Sequence, residues 1–165
     1  MLQKRICMLG SFCVGKISLI LRFVESIFSD RYLTTVGVKI DKKVVSVDGQ
    51  DVTLLLWDLH GEEEYQKIRM SHLRGASGYL LVADGTRLAI LEKTLAIKDE
   101  AEKNFGPTPF VVALNKCDLS DDWEITPEKE AELAGRAWKV VRTSAKTGEG
   151  VEFAFESLIK AMLAT

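Results

Sequence analysis

The chain has 165 residues, 47% of them hydrophobic and 28% charged, with a formal net charge of -2. That length suits one domain with a sizeable core, expected to span residues 1–165, and leaves little room for a second folding unit. The charge balance argues against a protein built for nucleic acid. It leaves open a local anion site, which needs only aimed amides and a cation or two.

The elements alternate along the chain. Ile6 to Leu9 is a short apolar run of buried-strand type. Lys16 to Phe28 follows, with Leu19, Ile20, Phe23 and Ile27 at helical spacing. Val38 to Val47 alternates roughly every second residue, Asp48-Gly49 is a strong hairpin turn signal, and Val52 to Trp57 is the return strand. Leu80 to Ala83 and Phe110 to Leu114 are further buried-strand runs. Between them a helix is predicted over about Leu88 to Asn104, closed by Phe105-Gly106-Pro107. Thr126-Pro127-Glu128 opens another, with threonine as N-cap and proline in the first turn. Val140-Val141 is a short strand, and Glu152 to Leu163 a last amphipathic helix. The fold class expected is α/β: a three-layer sandwich. It has a six-stranded, mostly parallel sheet with one antiparallel edge strand, and helices on both faces. Ligands of such sheets bind at the carboxyl ends of the strands, near a switch in strand order.

Cys7, Cys13 and Cys117 are an odd number without metal-ligand spacing, which reads as free thiols in a reducing cytoplasm. No apolar stretch is long enough to span a bilayer, and the apolar run after Arg5 is too short for a signal peptide. The last residues, Ala161 to Thr165, hold no prenylation cysteine, and residue 2 is leucine, not the glycine of a myristoylation signal. No lipid anchor is expected if the chain ends here.

The first strand runs into Gly10-Ser11-Phe12-Cys13-Val14-Gly15-Lys16 and then a helix. Glycines at this spacing let successive N–H groups turn inward, the helix N-terminus adds partial positive charge, and Lys16 reaches outer phosphates. A plain strand-to-helix turn with a surface lysine is the alternative, and the strand–loop–helix context disfavours it. The residue after the lysine is usually Ser or Thr, whose hydroxyl binds Mg²⁺. Here it is Ile17, without an oxygen, while Ser18 lies about 100° further round the helix. Phe12 is bulky for a loop wrapped on phosphate.

The strand Phe110 to Leu114 leads into Asn115-Lys116-Cys117-Asp118. A carboxylate such as Asp118 accepts two hydrogen bonds from guanine's ring N–H and amino group, and adenine leaves it unpaired. Asn115 bonds the other base edge and braces the loops, and the Lys116 stem lies over the ring. Thr143-Ser144-Ala145-Lys146 follows the last short strand, with the Ala145 N–H available to the guanine carbonyl oxygen. Two such boxes in the right order after the phosphate loop leave an ordinary-loop reading little room.

Over about residues 4 to 163 the chain resembles the Ras superfamily of small GTPases. It is most similar to the Rab branch through Thr35-Val36-Gly37-Val38, Trp57-Asp58-x-x-Gly61, Leu73-Arg74-Gly75-Ala76 and Thr143-Ser144-Ala145-Lys146-Thr147-Gly148. Asp84-Gly85-Thr86-Arg87 looks more like prokaryotic Rab-like proteins. The resemblance implies that the α/β sandwich is of the P-loop NTPase kind, and that the protein is a GTP/GDP switch with Mg²⁺. Phe28 stacks edge-on against guanine, Tyr32 lies over the phosphates, and Thr35 and Gly61 sense the γ-phosphate. Lys16 and Gly61 serve the transfer, and Thr35 and Asp58 hold the metal. These roles are the superfamily's own.

The glutamine that orients water in the family falls on Glu62. An ionised carboxylate only accepts hydrogen bonds and repels a triphosphate, so Glu62 reads as a solvated carboxylate beside Glu63 and Glu64 rather than a general base. His60 replaces a small residue. Of three aromatics that link the Rab switches to effectors, the positions here hold Ile40, Trp57 and His72. A monomer is expected, with a protein partner on the switches. Three readings compete: a switch with slow hydrolysis through a weakened Mg²⁺ site, a nucleotide-holding pseudo-GTPase, and an ATP-using P-loop kinase. Asn115, Asp118 and Ala145 oppose the last.

Overall fold

The computed structural model describes residues 2–10, 14–25, 38–59 and 73–164. Six strands form one sheet in the order β2-β3-β1-β4-β5-β6. They are β1 (Leu2–Leu9), β2 (Val38–Val47), β3 (Gln50–Leu59), β4 (Gly78–Asp84), β5 (Phe110–Asn115) and β6 (Val140–Arg142). Four α-helices occur among the described residues: α1 (Lys16–Glu25), α2 (Leu88–Phe105), α3 (Pro127–Gly135) and α4 (Val151–Leu163). All strand pairs are parallel except β2 with β3, which places the antiparallel strand at the edge.

The β2–β3 turn is the two-residue kind that matches strand twist. Asp48 and Gly49 both have positive φ, 51° and 79°, as an aspartate–glycine pair permits. Strand β1 begins at Leu2, four residues before its apolar run, because Leu2 to Arg5 pair with Val52 to Leu55 of β3. Backbone pairing there is indifferent to the polar side chains of Gln3, Lys4 and Arg5.

Alternation along the central strands separates two cores. Ile6 and Met8 of β1 and Leu80 and Val82 of β4 point to one face, against Leu19, Ile20 and Phe23 of α1 and Phe155, Leu158 and Ile159 of α4. Cys7, Leu9, Leu81 and Ala83 point to the other, against Leu91 and Ala101 of α2 and Leu133 of α3. Every residue of β4 is buried, as a parallel strand covered on both faces requires. Phe23 and Phe155 stack at 4.0 Å between centroids, tying α1 to α4. Burial sets the Cys7 thiol's pKa at about 11, against a weaker opposing pull from Arg5. Thr126 caps α3 by accepting from the Lys129 N–H at 3.1 Å, with Pro127 in the first turn. Among the described residues no helix is long and apolar enough to cross a membrane.

Candidate functional site

The chain runs from β1 to the β2–β3 side of the sheet and later returns to β4 on β1's other flank, so the switch in strand order lies beside β1. The carboxyl ends of the parallel strands gather there, the position where open α/β sheets bind ligands. The candidate residues Val14, Gly15, Lys16, Ile17, Ser18, Asp58, Asn115, Lys116, Asp118, Ser144, Ala145 and Lys146 all fall at these ends. Ser11, Phe12, Cys13, Phe28, Tyr32, Thr35, Gly61 and Glu62 lie outside the described residues, as do His60 and His72.

Lys16 opens α1 and is 8% exposed. Its Nζ lies 3.5 Å from Oδ1 of Asp58, which is 1% exposed near the end of β3. Burying either charge alone is costly, so the two offset each other while aimed at one point. Gly15 has φ +95°, and a Cβ on it would sit 2.4 Å from the Asn115 Nδ2, so the phosphate-loop glycine fits closely against the base box. Asn115 is 2% exposed and joins three segments. Its amide donates to the Val14 carbonyl at 2.9 Å, and its carbonyl oxygen accepts from the Thr143 hydroxyl at 3.1 Å.

Further contacts set the side chains of the base box. The Ser144 hydroxyl donates to Asp118 Oδ1 at 2.8 Å and accepts from the Thr147 N–H at 3.1 Å. Lys116, held at φ 70°, places its Nζ 2.9 Å from Asp84 Oδ2 at the end of β4. Thr86 donates its N–H and its hydroxyl to the other oxygen of Asp84, at 2.9 and 2.6 Å. Burial works to raise the Asp84 pKa, but the bonds from Thr86 and Lys116 outweigh it and hold the carboxyl below its ordinary value. The Cys117 thiol donates to Glu149 Oε2 at 2.9 Å. Burial first, and the Glu149 carboxylate second, push its pKa up to about 12.

Asp84 and Glu149, which hold Lys116 and Cys117, are not singled out as site residues by the sequence. Asp84-Gly85-Thr86-Arg87 did stand out as a motif, and its acidic residue at a strand end was the available signal. Of the residues expected to hold Mg²⁺, Asp58 lies within the described residues and Thr35 outside them. Asp58 brings one buried carboxylate beside Lys16, and Ile17 brings hydrocarbon where the usual hydroxyl would stand. Among the described residues no group of three His, Cys, Asp or Glu side chains could hold a metal. On the outer face of the hairpin, Ile40 is 51% exposed opposite Trp57, which is half-buried with the Arg5 guanidinium 4.4 Å above its ring.

A family model described as the Ras family matches residues 5–164. The Ras-related protein Rab-17 of Mus musculus is 35% identical over 162 residues, covering 96% of this chain and 75% of that protein. The Ras-related protein Rab-18 of Lymnaea stagnalis is 33% identical over 164 residues, covering 98% of this chain and 81% of that protein. The GTP-binding protein ypt2 of Schizosaccharomyces pombe is 30% identical over 158 residues, covering 94% and 79%.

Proposed function

This chain belongs to the Ras family, on its Rab-like branch, and from that premise we propose a guanine-nucleotide switch whose GTP hydrolysis is slower than that of unassisted relatives. The observation that carries the guanine reading is the bracing of the base box. Asn115 ties it to Val14, and Ser144 orients the Asp118 carboxylate. In this reading Asp118 accepts from the guanine ring N–H and amino group, the Ala145 N–H donates to the 6-oxygen, and the Lys116 stem covers the ring. Lys16 and the amides of Ser11 to Gly15 hold phosphate, with Phe28, Tyr32, Thr35 and Gly61 in the roles the family assigns them. In this reading residues 1–165 form one domain that acts as a cytoplasmic monomer, with a protein partner on its switch face.

The slow turnover follows from side-chain chemistry. Transfer needs a water held in line and charge on the phosphoryl group offset. Bound Mg²⁺ supplies that offset, and Ile17 gives it no oxygen. Glu62 carries the wrong sign and, when ionised, no donor. Phe12 is a bulky residue for a loop wrapped on phosphate. The pseudo-GTPase reading draws on the same residues, Ile17, Phe12 and Glu62, while Thr35, Asp58 and Gly61 oppose it. It differs in allowing no turnover at all.

Single-turnover assays with preloaded GTP test the proposal. Hydrolysis below the roughly 10⁻⁴ s⁻¹ of unassisted relatives is expected. Glu62→Gln alone gains little, and the triple change Phe12→Gly, Ile17→Thr, Glu62→Gln gains far more, because defects sharing one site do not add independently. An ordinary rate that Glu62→Ala abolishes would make Glu62 a working base and overturn the reading.

A further inference from the structure

Arg22 stands in the last turn of α1, the helix that begins at Lys16. Its guanidinium crosses to the loop after β6. Nε donates to the Ala145 carbonyl at 2.7 Å, and a terminal nitrogen donates to the Lys146 carbonyl. Both donors belong to one rigid planar fork, so two consecutive carbonyls are fixed together. The same side chain lies along Gly148, where a Cβ would come 3.7 Å from Arg22 Cδ. The loop is held on its other side by Ser144, which donates its N–H to the Glu149 carbonyl at 2.9 Å and its hydroxyl to Asp118. Ala145 sits between these two anchors, 4% exposed, and among the described residues no acceptor takes its N–H.

We propose that Arg22 is a positioning residue for base recognition, clamping the carbonyls of Ala145 and Lys146 so that the Ala145 N–H stays aimed at the 6-oxygen of guanine. The inference rests on the guanine reading above and adds to it the residue that aims one donor. An N–H fixed before the ligand arrives loses little freedom on binding, so its hydrogen bond contributes close to its full worth to affinity and selectivity. Arg22 also complements the helix dipole of α1, which any cation there would do. Only a forked side chain holds both carbonyls, so Arg22→Lys separates the two roles.

The probes are GDP, 6-thio-GDP and IDP. 6-Thio-GDP keeps both donors that Asp118 reads and replaces the 6-oxygen by sulfur, a weaker acceptor. IDP keeps the 6-oxygen and lacks the amino group. Affinities for the three are measured by competition on the parent, Arg22→Lys and Arg22→Ala, with circular dichroism confirming the fold. In the parent the sulfur penalty is expected at about five- to ten-fold, the worth of one hydrogen bond. It should shrink to about two-fold in both variants, while the ratio of GDP to IDP affinity, which Asp118 sets, holds within about two-fold. If Arg22→Ala does not fold, Arg22→Lys carries the test alone. A sulfur penalty unchanged in Arg22→Lys, or equal losses for all three nucleotides, overturns the inference and leaves Arg22 a structural residue. A parent that binds ADP as well as GDP overturns the guanine reading and the inference with it.

Discussion

Replacing Asn115 by alanine removes a side chain that joins the phosphate loop, β5 and the loop after β6. Its amide donates to the Val14 carbonyl at 2.9 Å and its oxygen accepts from the Thr143 hydroxyl at 3.1 Å. Asn115, Thr143 and Val14 are all at most 2% exposed, so water does not readily replace what is lost. Each neutral bond contributes about 1 kcal/mol net, and each buried group left unpaired costs about 1 kcal/mol more, for a total of about 2–4 kcal/mol. At about 3 °C per kcal/mol for a chain of this size, Tm should fall by roughly 6–12 °C. The assay is thermal unfolding by circular dichroism on nucleotide-stripped protein, because bound nucleotide would add its own stabilisation. Thr143→Val, and the double variant, complete a cycle. With the hydroxyl already gone, the double variant should lose about 1 kcal/mol less than the sum of the single changes. A Tm within about 2 °C of the parent, or strict additivity in the cycle, would refute the bridging role.

Two further outcomes follow from the same geometry. Ile17→Thr places a hydroxyl in the first turn of α1, next in sequence to the Lys16 that pairs with Asp58. Millimolar Mg²⁺ should then slow GDP release many-fold in the variant and only slightly in the parent, and a parent already slowed many-fold contradicts the weakened site. Cys117, raised from 9.0 to about 12, should alkylate with iodoacetamide at pH 8 far more slowly than a peptide thiol, and Glu149→Gln should speed it several-fold. Because the folded value is the higher, the thiol's contribution to stability is full below about pH 9 and is lost as pH rises toward 12. Parent alkylation at the peptide rate would refute this placement.

The parts of the fold legible in sequence were those with local signatures. The Asp48-Gly49 turn adopts the backbone that only such pairs take readily, and Thr126-Pro127 caps α3 as its residue types require. The apolar runs Leu80–Ala83 of β4 and Phe110–Leu114 of β5 reflect strands covered on both faces, and the mostly parallel pairing follows from alternation with helices. In the site, the boxes around Lys16, Asn115–Asp118 and Ser144–Lys146 could be read because their chemistry depends on spacing within a few residues. The supporting contacts could not. Arg22 meets Ala145 across 123 positions, Lys116 meets Asp84 across 32, and Cys117 meets Glu149 across 32. Nothing in a helical arginine or a strand-end aspartate announces such a partner until topology brings β4, β5 and β6 side by side. The early start of β1 was hidden for a related reason. Gln3, Lys4 and Arg5 break the apolar run, yet their backbone pairs with β3.

Equilibrium binding of GDP against ADP, on the parent and on Asp118→Asn, tests the guanine assignment most directly. The Asp118 carboxylate, oriented by Ser144, should favour GDP by about a thousand-fold or more, since adenine leaves it without a donor. In Asp118→Asn the amide donates where the carboxylate accepted, so preference should move from GDP toward XDP. Equal affinity for GDP and ADP in the parent, or a variant that still prefers GDP to XDP as strongly as the parent does, would contradict the account.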